Sequence, residues 1–275
     1  MSEKKFSADN SHKESAKLRD EYWEKSQKNP IIKGLNSGKS LAEVLRAFPD
    51  FKEGFKKGEI LNCVKCSDGR VNNTDGGEKL GLAGSGILFN ESELDNFVHR
   101  NYGQIKEVTS HENCGAGAVK YAQMVAAGET MPEGITNSDE LAQWFAKKMA
   151  KLLGANYRHI AAGEFTCPVH RERLVVIDGT AKFDPNQLDY FPPTFISAAL
   201  GLGADLEYVA KEARLLAGIS LGNHGFDARF NSENPFYLMI IADNQNQLTL
   251  VKETLQDFVD KQNGRVKLVG VLRPE

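Results

Sequence analysis

Apolar residues recur along this chain with two periods, which together predict alternating strands and helices. Short β-branched apolar runs indicate buried strands, whereas apolar residues spaced three and four apart indicate amphipathic helices. Strands are predicted at 60–64, 80–83, 105–109, 174–177, 236–242 and 266–272. Helices are predicted at 92–102, 115–128, 138–153, 194–217 and 248–259. This alternation is typical of parallel βαβ units.

The first 58 residues are predicted to form a helical arm. An apolar stripe marks a first, strongly charged helix, and a second helix begins at a capping box in which Ser40 precedes Glu43. We therefore divide the chain into an N-terminal helical arm, 1–58, and an α/β domain, 59–275, with a mainly parallel central sheet flanked by helices. Residues 236–275 read as strand–helix–strand and belong either to this sheet or to a small extension.

Composition and charge exclude several classes of protein. The chain has 275 residues, of which 41% are hydrophobic and 26% charged, as in ordinary globular proteins. A net charge of −3 gives no basic face, so nucleic acid is not an expected partner. No stretch reaches the ~18 apolar residues of a membrane span, and the N-terminus lacks an apolar signal core. We therefore expect a cytoplasmic protein with no membrane partner.

Two short motifs concentrate the residue types that carry chemistry. In the first motif, Cys66, Asp68 and Arg70 are spaced by two, so an extended chain presents them on one face. In the second motif, His111 and Cys114 stand where a predicted strand meets the start of a helix. Open α/β sheets place their ligand sites at such carboxyl ends. If the two strands are neighbours, the motifs meet at one point.

The donor set at that point suits Zn²⁺. Two thiolates and one imidazole are favoured zinc ligands, and three protein ligands leave a fourth position for water. Zinc lowers the pKa of such water from ~15.7 toward 7, which makes zinc hydroxide available as a nucleophile. Asp68, held by Arg70, can accept the hydrogen of that hydroxide and orient it. We predict one Zn²⁺ per chain on Cys66, His111 and Cys114.

The two motifs also resemble those of a known family. The string CSDGR at 66–70, followed by HENCG at 111–115, is similar to the C-x-D-x-R and H-x-x-C-G signature of the β-class carbonic anhydrases. The resemblance implies the same three zinc ligands, an Asp68/Arg70 catalytic dyad, and reversible hydration of CO2 to bicarbonate and a proton. It also implies a homodimer or a higher homo-oligomer. In some members the dyad aspartate moves onto zinc in an inactive state, and the sequence leaves open whether Asp68 does so.

The chain looks like a divergent member of that family. The match covers roughly residues 55–128, and the spacing between Cys66 and His111 is short for the family. The segment 82–84 lacks the family's Arg-Asn pair, and Ser110 stands where a glycine is usual.

Other interpretations of the same residues remain open at this stage. Cys63 could complete a closed, structural Cys3His zinc site. However, its odd separation from Cys66 points the two thiols to opposite faces, which favours Cys63 as a buried small side chain.

The same zinc chemistry also suits COS or CS2 as substrate, and a non-catalytic, zinc-stabilised binding protein is a further alternative. Cys167 and His170 have ligand-like spacing without a second pair, so we interpret them as a loop with a buried thiol. His224, between two glycines, could line a pocket.

Overall fold

The computed structural model describes residues 8–55, 62–71 and 79–274. Positions 60 and 61 of the first predicted strand lie outside the described residues. The predicted α/β class is confirmed, with helices flanking two parallel four-stranded sheets rather than a single one. None of the helices in the described ranges is long and apolar enough to cross a membrane.

Three helices precede the first sheet: α1 (Ala8–Gln27), α2 (Pro30–Asn36) and α3 (Leu41–Leu45). The capping box predicted for α3 is present, because the Ser40 backbone N–H donates to the Glu43 carboxylate over 2.8 Å and the Ser40 hydroxyl accepts from the Glu43 backbone. The sequence pattern did not predict α2. The apolar faces of α2 and α3 pack against one face of the second sheet, where they bury side chains that include Ile31, Leu41, Val176 and Met239.

The first sheet has the strand order β2-β1-β3-β4. Its strands are β1 (Cys63–Lys65), β2 (Leu80–Gly81), β3 (Glu107–His111) and β4 (Asn156–Ile160). Its crossover helices are α4 (Glu91–Asn101), between β2 and β3, and α5 (Gly115–Ala127) and α6 (Ser138–Leu153), between β3 and β4. The prediction of a helix at 138–153 is confirmed, whereas β4 was not predicted.

The second sheet repeats that arrangement, with the order β6-β5-β7-β8. Its strands are β5 (Leu174–Asp178), β6 (Thr194–Ser197), β7 (Phe236–Ala242) and β8 (Val266–Leu272). Its crossover helices are α7 (Leu206–Leu221), between β6 and β7, and α8 (Gln245–Asp260), between β7 and β8. The predicted strand–helix–strand tail is therefore confirmed and forms one side of this sheet. All strand pairs in both sheets are parallel.

The helix predicted over 194–217 is wrong in its first part. Thr194–Ser197 is strand β6, and the helix begins only after Asp205, whose side chain accepts from the Tyr208 backbone N–H over 2.8 Å. A run of four buried residues fits either a buried strand or a buried helix by periodicity alone, and pairing with β5 decides for the strand.

The two sheets meet at the edge strands β2 and β6, which lie side by side. The Ala198 backbone N–H donates to the Gly81 carbonyl over 2.7 Å, and the Ile196 N–H donates to the Ser67 carbonyl over 3.2 Å. A Cβ at Gly81 would come within 1.9 Å of the Ile196 carbonyl oxygen. The approach of the two sheets therefore requires glycine at this position.

Candidate metal centre

The two motifs are brought together by neighbouring strands. Strands β1 and β3 pair in parallel, with Val64 opposite Val108, so their carboxyl ends lie side by side. Cys66 follows β1, His111 ends β3, and Cys114 is the N-cap residue of α5. The ligand atoms of these three buried residues all lie within 4.8 Å of one another.

The spacing and the hydrogen bonding of this cluster fit a metal ion. The two thiol sulfurs, of Cys66 and Cys114, are 4.0 Å apart, close to the about 3.8 Å edge of a tetrahedron with Zn–S bonds of about 2.3 Å. Nδ1 of His111 lies 2.8 Å from the Glu112 carbonyl oxygen, which fixes the proton on that nitrogen. The other nitrogen, Nε2, is buried and has no hydrogen-bond partner. A buried acceptor left in this way is costly unless a ligand occupies it.

The loop after β2 shapes the pocket of the Cys66 thiol. Gly84 has a φ of 55° and donates its backbone N–H to the Cys66 sulfur over 3.2 Å. A Cβ here would meet Ile87 at 2.5 Å and Ala116 at 3.1 Å. The hydrogen bond from the Cys114 thiol lowers the pKa of Cys66 well below its ordinary value, so this sulfur is prepared for the thiolate form that binds metal.

Asp68 and Arg70 form a buried ion pair beside the cluster. Nη2 and Nε of Arg70 donate to Oδ2 of Asp68 over 2.6 and 3.0 Å, and the Arg70 backbone N–H donates to Oδ1 over 2.9 Å. Burial alone would raise the pKa of Asp68, but the charges of His170 and Arg70 outweigh it and hold this pKa well below its usual range. Oδ2 of Asp68 lies 3.8 Å from Nε2 of His111, so an ionised carboxylate borders the metal ligands.

Arg70 also joins the two motifs. Its Nη2 donates to the Asn113 carbonyl over 3.1 Å, and Asn113 adopts a left-handed φ of 54° in the turn between His111 and Cys114. The ring of Phe165 lies 5.0 Å from the Arg70 guanidinium and packs edge-on against the His111 ring. The dyad is therefore fixed to the backbone of the ligand-bearing turn.

The structure adds two charged residues that sequence reasoning did not assign to the site. His170 and Glu172 are buried and group with Asp68, and these three side chains form a second cluster whose ligand atoms lie within 4.8 Å of one another. The only sequence signal was the spacing of Cys167 and His170, which we interpreted as a loop with a buried thiol. Cys167 is indeed buried, and it belongs to neither cluster.

Cys63 is not part of the metal cluster. Its thiol lies 3.2 Å from Oε1 of Glu107, and it is absent from the group of ligand atoms formed by Cys66, His111 and Cys114. This placement agrees with the parity argument and disfavours a closed Cys3His site built on Cys63.

A cavity of about 380 Å³ reaches the cluster from the surface. Its lining includes Arg70, Cys114, Ala118, His170, Ile219 and His224. The suggestion that His224 lines a pocket is therefore confirmed. His170, Ile219 and His224 come from the part of the chain that follows the first sheet, so both halves of the molecule contribute to this cavity.

Comparisons with protein-family models, with curated proteins and with solved structures found no match to this chain. The interpretation of the site therefore relies on its geometry and its chemistry.

Proposed function

We propose that the protein is a zinc-dependent enzyme that hydrates CO2 reversibly to bicarbonate and a proton. The observation that carries the proposal is the convergence of two thiols and an unpartnered His111 Nε2 beside an ionised carboxylate held by arginine. Cys66, His111 and Cys114 are the residues that would hold Zn²⁺, leaving one coordination position without a protein ligand.

Zinc held by these residues would act as a Lewis acid and lower the pKa of a bound water toward 7. Asp68 is ionised, so its oxygens only accept hydrogen bonds. It can therefore accept the hydrogen of the attacking water or hydroxide and leave the oxygen lone pair directed at the substrate. Arg70 prevents rotation of this carboxylate through side-chain hydrogen bonds from its Nε and Nη2.

The cavity suits a small apolar substrate and an anionic product. Ala118 and Ile219 give it an apolar wall against which a linear, uncharged molecule can lie. Arg70 and the N-terminal end of α5 lie at the same cavity, and both complement the negative charge that develops when hydroxide adds to CO2. COS and CS2 share this shape and the same reaction class, so they are alternative substrates for the same residues.

The test is stopped-flow CO2 hydration by the zinc-loaded protein between pH 7 and 9, with COS and CS2 assayed in parallel. We expect turnover by wild type, no zinc and no turnover in Cys66→Ala, and a loss of at least about 100-fold in kcat/KM with zinc retained in Asp68→Asn. Asp243→Asn, an exposed carboxylate at the end of the second sheet, is the matched control and should behave as wild type.

Two results would count against CO2 hydration. Turnover of COS or CS2 without CO2 hydration would assign the site to the alternative substrates. A zinc-loaded protein that turns over none of the three, with Asp68→Asn indistinguishable from wild type, would support a zinc-stabilised binding protein.

A further inference from the structure

His170 lies between two buried carboxylates. Its Nδ1 is 3.2 Å from Oε2 of Glu172 and 3.7 Å from Oδ1 of Asp68, and its side chain is only 9% exposed. The Nδ1–H group is therefore positioned to donate a hydrogen bond to Glu172. At the longer distance to Asp68, a charged imidazole attracts the carboxylate electrostatically. Only protonated imidazole brings a positive charge to both carboxylates.

Glu172 is itself held in place by the backbone. Its Oε2 accepts from the Arg171 backbone N–H over 3.0 Å, and its Oε1 lies against Gly69, where a Cβ would come within 2.3 Å. Oε1 is buried without a hydrogen-bond partner. A buried carboxylate in this position needs a compensating positive charge, and His170 is in direct contact with it.

Asp68 consequently has cationic partners on two sides. Arg70 binds it from the first motif, and His170 approaches from the segment that connects the two halves of the chain. With Arg70 alone, the carboxylate would be secured from one side, next to ligand atoms only 3.8 Å away at His111. A metal ion there would attract the same carboxylate.

We propose that His170, held by Glu172, is a positioning residue that keeps Asp68 in its Arg70-bound orientation and off the metal. The role of Asp68 in turnover rests on the proposed function, whereas its position relative to the metal does not. His170 acts through Asp68 and belongs to a different group of ligand atoms from Cys66, His111 and Cys114.

The same three residues have a rival interpretation as a second metal site. Against it, both oxygens of Asp68 already accept hydrogen bonds from Arg70, so a dication would lie directly beside a guanidinium. The two interpretations differ in metal stoichiometry, which makes them separable.

The test uses the 275-residue chain loaded with Co²⁺, whose visible absorption reports the ligands of the metal. Wild type should change its spectrum when thiocyanate is added, because one position is free for an anion. His170→Ala should lose this response, because the released Asp68 carboxylate fills that position. His170→Lys keeps a positive charge beside Asp68 and should restore the response, and Glu172→Gln should show a partial loss.

Turnover gives a second, separate readout. In the zinc form, His170→Ala should reduce kcat/KM for CO2 by about 10- to 100-fold, a range typical of residues that orient the groups around a bound metal. His99→Ala, an exposed histidine on α4, and Glu129→Gln, an exposed glutamate after α5, are the matched controls and should leave both readouts unchanged.

The outcomes separate this proposal from the proposed function. If wild type hydrates no CO2 but the cobalt spectra follow the expected order, the function fails and the positioning role stands. The positioning role is overturned if His170→Ala keeps the thiocyanate response and full turnover. It is also overturned if wild type binds two equivalents of metal and both His170→Ala and Glu172→Gln lose the second.

Discussion

The half of the molecule that contains the first sheet (β1–β4) and the half that contains the second sheet (β5–β8) share one topology. They differ at the carboxyl ends of their strands. Strand orders β2-β1-β3-β4 and β6-β5-β7-β8 correspond position by position, and in both halves a helix follows the second and the third strand in sequence. In the first half, the strand ends carry Cys66, His111 and Cys114, whose ligand atoms face one another. The fold therefore offers two similar locations, and the residue types decide which one can bind metal.

The corresponding end of the second sheet is closed by its own backbone. Oδ1 of Asp178 accepts from the Thr180 N–H and hydroxyl over 2.9 and 2.7 Å, and Oδ2 accepts from the N–H groups of Lys182 and Phe183 over 3.1 and 3.0 Å. Asn244 caps α8 where Cys114 caps α5. Both oxygens of Asp178 are already occupied by hydrogen bonds, so they are not available to bind a cation. Nε2 of His111 has no hydrogen bond and is available to a metal.

The largest expected effect is the loss of zinc when one metal ligand at the end of the first sheet is removed. His111→Ala should lower zinc content from about one per chain to nearly none, because two thiolates alone hold zinc far more weakly than three ligands. Metal analysis of the purified variant measures this directly. Cys63→Ala, outside the metal cluster, is the control and should retain zinc. Full zinc retention by His111→Ala would remove the basis for placing the metal here.

The next largest effect is expected from a substitution at the end of the second sheet. It should lower the free energy of unfolding and leave zinc content unchanged. Asp178→Ala leaves the N–H groups of Thr180 and Phe183 without their acceptor, whereas the Lys182 N–H keeps the Thr180 hydroxyl; the change should cost about 2–5 kcal/mol in the free energy of unfolding. Urea unfolding measures the loss. Zinc content should not change, and a variant that instead loses zinc while remaining stable would contradict the division of roles between the two ends.

A smaller effect, on the pH dependence of stability, is expected from Glu212, which lies between the two sheets. The buried Glu212 side chain accepts hydrogen bonds from Ser67 of the first half over 3.0 Å and from Ser197 of the second over 2.7 Å. Burial raises the pKa of Glu212 to about 7. Its unfolded-state pKa is near 4.5, so the folded protein retains this proton at pH values where the unfolded chain has released it.

The free energy of unfolding should therefore fall as pH rises from 4.5 to 7, with roughly 3 kcal/mol of that fall due to Glu212. Glu212→Gln removes the titration and should flatten the dependence by that amount in urea unfolding at pH 5 and pH 8. Equal slopes in wild type and variant would show that the carboxylate is not desolvated at this junction.

Sequence patterns predicted the features that local spacing determines. The strand-to-helix boundary placed His111 and Cys114 at the edge where the structure brings them together with Cys66. The extended chain expected for residues 66–70 is wrong, because Gly69–Val71 forms a 3-10 turn in which the Arg70 backbone N–H donates to Asp68. Helix α6 has the predicted bounds because Asn137 and Gly154 delimit a regular amphipathic pattern.

Features that depend on distant pairing were not predictable. The residues of β6 have no periodicity that separates strand from helix, and the contact between β6 and β2 joins segments more than 100 residues apart. His170 and Glu172 lie in an irregular segment, where no period indicates which side chain turns inward. Their role becomes visible only once the chain after the first sheet is seen to fold back against Asp68.

X-ray absorption of the zinc-loaded 275-residue chain, combined with its zinc stoichiometry, tests the metal site most directly. We expect about one zinc per chain, with two sulfurs at about 2.3 Å and lighter ligands at about 2.0–2.1 Å, one of them an imidazole. Three sulfurs around zinc, or zinc bound without sulfur, would contradict the assignment of the metal to Cys66, His111 and Cys114.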